Sequence, residues 1–226
     1  MKLIKEQEWT LAQAPMKYSI LSRLLFNIMD MIYGKGINFC KLKVLELIAR
    51  IPYQAWEKVG YSAITHTHNH PKFARSIFEF IEEARKQQDN EQWHLLIIRD
   101  IIAQKSIRTS WLLHYFIPLI IAMTYYPIAW LTYVIYPRLS YRLNAEFEDH
   151  AERSYMQFVL DNPQFEKETV GMEITQGYGT FESLAHLLRQ IALDERHHKK
   201  ESLARLKKAR FGILELALNF TSHKST

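Results

Sequence analysis

DNEQWHLLI (89–97) sets Glu91 three residues ahead of His94, inside a run whose apolar positions return at helical spacing. LDERHH (193–198) repeats the arrangement with Glu195 and His198. Residues three apart share one helix face, so each pair can hold one cation or bridge two. The spacing alone carries little weight. Eighteen glutamates and ten histidines in 226 residues give roughly 0.8 such pairs by chance. The surroundings add to it, with Trp93, Leu95 and Leu96 beside the first pair and Ile191, Leu193 and Leu203 around the second.

Working outward, the periodicity predicts helices over 17–33, over about 39–63 with a kink at Pro52, and from Pro71 to about Gln104. His66, His68 and His70 fall in the connection before Pro71, where alternating histidines read as solvated. From Thr109 to Pro137 there is no Asp, Glu, Lys or Arg, a length sufficient to span a bilayer, with Pro118 and Pro127 expected to interrupt it. A further helix is predicted over about 141–160, a loop over 161–179, and a last helix from about Thr180 to Arg210 with Gly212 as its stop. No strand alternation is visible, so the chain reads as all-α with about six helices and a single domain over 1–226. Seven Gly and one cysteine, Cys40, exclude a hairpin-rich fold and an internal disulfide framework. The net charge of +5 suits an anionic membrane surface or nucleic acid, but no nucleic-acid motif accompanies it. The basic cluster 199–210 reads as a solvated helix end, and residues 1–13 carry no recognisable cleavable leader.

Two more of these helices carry a glutamate in a comparable setting: Glu46 in VLELIA, flanked by Leu45, Leu47 and Ile48, and Glu148 in AEFEDHA. The order along the chain is Glu, Glu-x-x-His, Glu, Glu-x-x-His, the ligand formula of di-iron and di-manganese carboxylate bundles. Four carboxylates balance two divalent cations, and oxygen with imidazole suits iron or manganese. Without cations, carboxylates packed this closely would repel and cost several kcal/mol each to desolvate.

Four blocks resemble the membrane-bound di-iron quinol oxidases, the alternative oxidases and especially the plastid terminal oxidases. They are VLELIARIPY (44–53), DNEQWHLLI (89–97), PRLSYRLNAEFEDHAERSY (137–155) and LDERHH (193–198), and the third is closest to the plastid branch. The resemblance implies a ferritin-like four-helix bundle with two additional membrane-associating helices. It implies two iron ions held by Glu46, Glu91, His94, Glu148, Glu195 and His198. It implies a redox role for Tyr155, seven residues after Glu148, and ligand-orienting roles for Asn90 and Asp194. Leu45, Ala151 and Ser154 would line a quinol pocket. Lys41 stands where the family usually has arginine, keeping charge but losing bidentate geometry. Asp149 and His150 replace acidic residues of the mitochondrial branch. The implied reaction is oxidation of plastoquinol, or ubiquinol, with reduction of O2 to water and no proton pumping. A homodimer is implied too, as is a thylakoid or cytoplasmic membrane of a cyanobacterium or related bacterium.

A membrane span over 109–137 would put Glu91 and His94 on one side of the bilayer and Glu148 on the other. One bundle could not then collect them, and the run has no room for a second crossing. Its aromatics, Trp111 to Tyr136, are spread throughout and not gathered in two belts. The run is therefore expected to lie along one leaflet with the 17–33 helix. Competing readings are a hydroxylase acting on a quinone precursor, an iron-storage bundle, and a transmembrane scaffold with accidental Glu-x-x-His pairs.

Overall fold

The computed structural model describes residues 2–207, and no strand occurs among them. The order is α1 (Lys2–Ala12), α2 (Ile20–Tyr33), α3 (Phe39–Thr67), α4 (Pro71–Gln104), α5 (Ile117–Ile135), α6 (Pro137–Asp161), α7 (Met172–Thr175) and α8 (Leu184–Arg205). Side-chain caps fix three of the starts: Ser19 accepts from Ser22 N, Asn38 from Lys41 N, and Ser183 from His186 N. α4 begins instead with Pro71, whose missing N–H costs nothing in a first turn.

α3 packs along α4, and α6 along α8; α3 also meets α6, and α4 meets α8. These four helices enclose the main core, in which Leu42, Leu45 and Ile48 meet Ile97, Ile98, Tyr155, Leu188 and Ile191. α5 lies on the outside of the pair α3 and α6. Its Ala129 packs on Ile51 and Ala55, and its Tyr133 on Trp56 and Phe80.

The structure departs from the sequence expectations in five places. The uncharged run is not broken at Pro127, which sits inside α5. A π-helical turn, Leu112–Phe116, precedes α5 instead, and Pro118 falls in the first turn, where proline is tolerated. α3 runs on to Thr67 and carries Pro52 within it; the proline ring removes one backbone donor without ending the helix. The segment 161–179 contains a 3-10 turn, Pro163–Glu166, and the single-turn α7. α1 was not foreseen at all. The basic cluster is not simply solvated: Lys199 Nζ donates to Asp149 Oδ1 at 2.9 Å and to Glu152 Oε2 at 2.5 Å, and Arg205 lies over the Phe80 ring. The stop at Gly212 falls outside the described residues.

Among the described residues, Leu112–Ile135 is the one helical stretch long and apolar enough to cross a membrane, by length and composition. Little of it is buried. Leu119, Ile120, Met123, Ile128 and Leu131 face outward, as do Ile20, Leu21, Leu24, Ile28 and Met31 of α2. α2 is thus apolar on two faces, because Phe26 and Met29 enter the core on the other side.

Candidate metal centre

Glu46 stands on α3, Glu91 and His94 on α4, Glu148 on α6, and Glu195 and His198 on α8. Each is at most 3% exposed. The helical spacing of the sequence does this work: three residues along α4 or α8 turn both members of a Glu-x-x-His pair inward together. Nδ1 of His94 lies 2.9 Å from Glu195 Oε1, 3.3 Å from Glu46 Oε2 and 3.9 Å from Glu91 Oε2. Nδ1 of His198 lies 2.7 Å from Glu91 Oε1 and 3.9 Å from Glu195 Oε2. Two overlapping clusters result, one of Glu46, Glu91, His94 and Glu195, the other of Glu91, Glu148, Glu195 and His198. Within each, the inward atoms all lie within 4.8 Å of one another.

The inward atoms face only one another, and none has a hydrogen-bond partner outside the set. They are both oxygens of Glu91, both of Glu195, Oε2 of Glu46, Oε2 of Glu148, and Nδ1 of each histidine. Buried polar atoms are otherwise almost always paired, so an orphaned set converging on one point calls for cations. The pattern is also that of two adjacent cations: the two shared glutamates present both oxygens, the two unshared ones present a single oxygen each. The donor set therefore fits a pair of divalent metal ions.

Electrostatics point the same way. Burial, then the charge of neighbouring carboxylates, hold Glu46, Glu91 and Glu148 above the usual carboxylate range. Burial would raise Glu195 as well, but the flanking His198 and His94 outweigh it and hold it low. Burial would lower His94, yet Tyr178, Asp194, Glu195 and Glu46 keep it well above the ordinary imidazole value.

Around the cluster, the remaining polar atoms are tied. Tyr155, fully buried, donates to Glu46 Oε1. Asp194 Oδ2 lies 3.4 Å from His94 Nε2, and Asn90 Nδ2 donates to the same oxygen at 3.4 Å. This fixes the imidazole ring with Nδ1 toward the centre.

A family model described as alternative oxidase matches residues 19–204. The chain belongs to the alternative oxidase family. A comparison with individually curated proteins gives no match. Membership implies quinol oxidation coupled to O2 reduction at a di-iron centre, and association with a membrane.

Two contacts beside the centre of this alternative oxidase escaped the sequence reading. Tyr178 donates to Asp194 Oδ2 at 2.5 Å and lies 3.3 Å from His94 Nε2. It is held there by Gly177, whose φ of +87° and close approach to Trp93 leave no room for a side chain. Nothing in the spacing of a loop residue signals such a contact. Tyr53 was legible in principle, because it follows Glu46 by the same seven residues that separate Glu148 from Tyr155. Its hydroxyl donates to Glu148 Oε1 at 2.7 Å.

The suggested quinol residues are shut in. Leu45, Ala151 and Ser154 are buried. Lys41 is buried too, and its ammonium is turned to Asp30 Oδ1 at 2.5 Å and to the Gly34 carbonyl at 2.7 Å. Of the three histidines expected in the connection, His66 lies in the last turn of α3 and only His68 and His70 fall between α3 and α4; all three are exposed.

Proposed function

We propose that this alternative oxidase oxidises plastoquinol, with ubiquinol as the second donor, and reduces O2 to water without storing energy across the membrane. The reading rests on one observation above all, the orphaned, converging donor set with two shared and two unshared carboxylates. Glu46, Glu91, His94, Glu148, Glu195 and His198 would hold two iron ions, Glu91 and Glu195 belonging to both. When bound, the irons supply the redox centre at which O2 is reduced with electrons from quinol. Two quinols give four electrons and four protons, which convert one O2 into two waters.

The chain's own residues shape that chemistry. Tyr155 keeps one oxygen of Glu46 engaged and places a phenol hydrogen beside the centre. Asp194, Asn90 and Tyr178 hold His94 in register. The dry surroundings strengthen every charge interaction within the site and exclude bulk water. Plastoquinol is favoured by the third sequence block, 137–155, which is closest to the plastid branch.

The outward apolar faces of α2 and α5 suit a monotopic attachment to one leaflet. α5 packed flat on α3 and α6 supports that reading over a span. Phe26 and Met29 of α2 belong to the same core as Leu45, so quinol would reach Leu45, Ala151 and Ser154 from beneath α2. The same resemblance suggests a homodimer, on the thylakoid or cytoplasmic membrane of a cyanobacterium or related bacterium.

The test is oxygen uptake by purified, iron-loaded protein with cyanide present, given plastoquinol, ubiquinol or no donor. Uptake that depends on donor and is fastest with plastoquinol is expected, and Glu148→Ala should abolish it. Absence of donor-dependent uptake would overturn the oxidase reading; equal or faster uptake with ubiquinol would overturn the choice of quinone.

A further inference from the structure

α3 and α6 each carry a glutamate followed seven residues later by a tyrosine: Glu46 with Tyr53, and Glu148 with Tyr155. Seven residues is two helical turns, so each tyrosine lies on the same face as its glutamate. Neither tyrosine bonds its own helix's glutamate. Tyr155 of α6 donates to Glu46 Oε1 of α3, and Tyr53 of α3 donates to Glu148 Oε1 of α6. The two phenols thus brace the centre crosswise, one on each cluster.

The two braces are unequal. Glu46 Oε1 receives the Tyr155 hydroxyl. Glu148 Oε1 receives two donors, Tyr53 at 2.7 Å and Asn144 Nδ2 at 3.0 Å. Asn144 also donates to the Tyr53 hydroxyl at 2.8 Å and to Ser202 Oγ on α8 at 3.1 Å. The Tyr53 ring packs against His198 as well, centroids 5.7 Å apart and planes at 62°. One residue therefore touches both of the groups that belong to the second cluster alone, Glu148 and His198.

We propose that Tyr53 is a positioning residue for the reaction, holding Glu148 to its single inward oxygen at the second metal position. The proposal rests on the two-metal reading of the site. A carboxylate with one oxygen doubly hydrogen-bonded cannot swing to offer both oxygens without breaking those bonds. Glu148 is held by two donors and Glu46 by one, so Glu148 is the stiffer of the two unshared ligands. The two metal positions are then unequal by construction, although the six ligands are nearly symmetric in type.

The probe is Tyr53→Phe, which keeps the ring against His198 and removes only the hydroxyl. Three readings are taken on wild type and variant: iron(II) affinity by chelator competition, the visible spectrum of the cobalt(II)-loaded protein, and steady-state kinetics with quinol. The variant should bind iron(II) about tenfold more weakly. It should shift the cobalt bands and lose about tenfold in kcat at unchanged quinol KM. Its metal-free form should melt within a few degrees of the wild type, which a merely structural role for the hydroxyl would not combine with a spectral shift. An unchanged spectrum with unchanged affinity would overturn the proposal. Wild-type protein that takes up no metal would overturn the two-metal reading itself, a different and separately visible failure. If Tyr53→Phe does not accumulate as folded protein, Asn144→Ala removes the other donor from the same oxygen and should move the same bands; unmoved bands there overturn the proposal equally.

Discussion

His150 stacks on Phe26, ring centroids 4.0 Å apart and planes at 15°, where α6 meets α2. Burial, then the charge of Lys41, pushes its imidazole down to about 4. The unfolded chain would take up a proton near pH 6.5, while the folded chain refuses it until about pH 4. His150 therefore contributes stability that is complete above the unfolded value and is lost as pH falls toward 4. His150→Gln should abolish that component: between pH 7.5 and 5 the variant's melting temperature should fall less than the wild type's. Equal falls in a melting series would contradict the assignment. Residues of this kind were partly legible. Glu46 stood out as a single acid in an apolar helical run, Glu148 by completing the order Glu, Glu-x-x-His, Glu, Glu-x-x-His, and Tyr155 through the family resemblance of the block 137–155. Tyr178 did not, because its approach to Asp194 depends on how a loop folds around Gly177.

At the scale of elements, apolar periodicity located the helices that bury apolar stripes and missed the one that does not. α1 buries Gln7 and Thr10. Gln7 donates to the Met156 carbonyl at 2.7 Å and accepts from Arg189, and Thr10 donates to Glu152 at 2.8 Å. The side chains that dock α1 are polar, so its burial does not follow the apolar positions by which the other helices were read. The outward faces of α2 and α5 present the opposite case, apolar stripes with nothing covering them. If they seat in one leaflet, charges placed there should weaken binding without harming the core. Leu24→Asp together with Met123→Asp should reduce flotation with lipid vesicles several-fold while leaving the melting temperature within a few degrees. Undiminished flotation would show that these faces do not meet lipid.

For the whole molecule, a charge argument joins the parts. Four carboxylates and two imidazoles share a core from which water is excluded, and their inward atoms find no hydrogen-bond partner outside the set. Such a set is destabilising unless compensated. The order Glu, Glu-x-x-His, Glu, Glu-x-x-His was visible in the sequence because metal-ligand spacing follows helical geometry. The sharing of Glu91 and Glu195 was not, because it depends on how α4 and α8 face each other across the bundle. α5 returns the chain to the bundle along the outside of α3 and α6, which lets residues before and after an uncharged run of this length meet at one site. Glu91 and Glu195 belong to both clusters, so removing either should cost both metal ions, not one.

Iron per chain, measured by elemental analysis after anaerobic loading and desalting, tests this most directly. Two irons are expected in the wild type and essentially none in Glu91→Ala; a wild type without iron, or a Glu91→Ala protein that keeps both, would contradict the account.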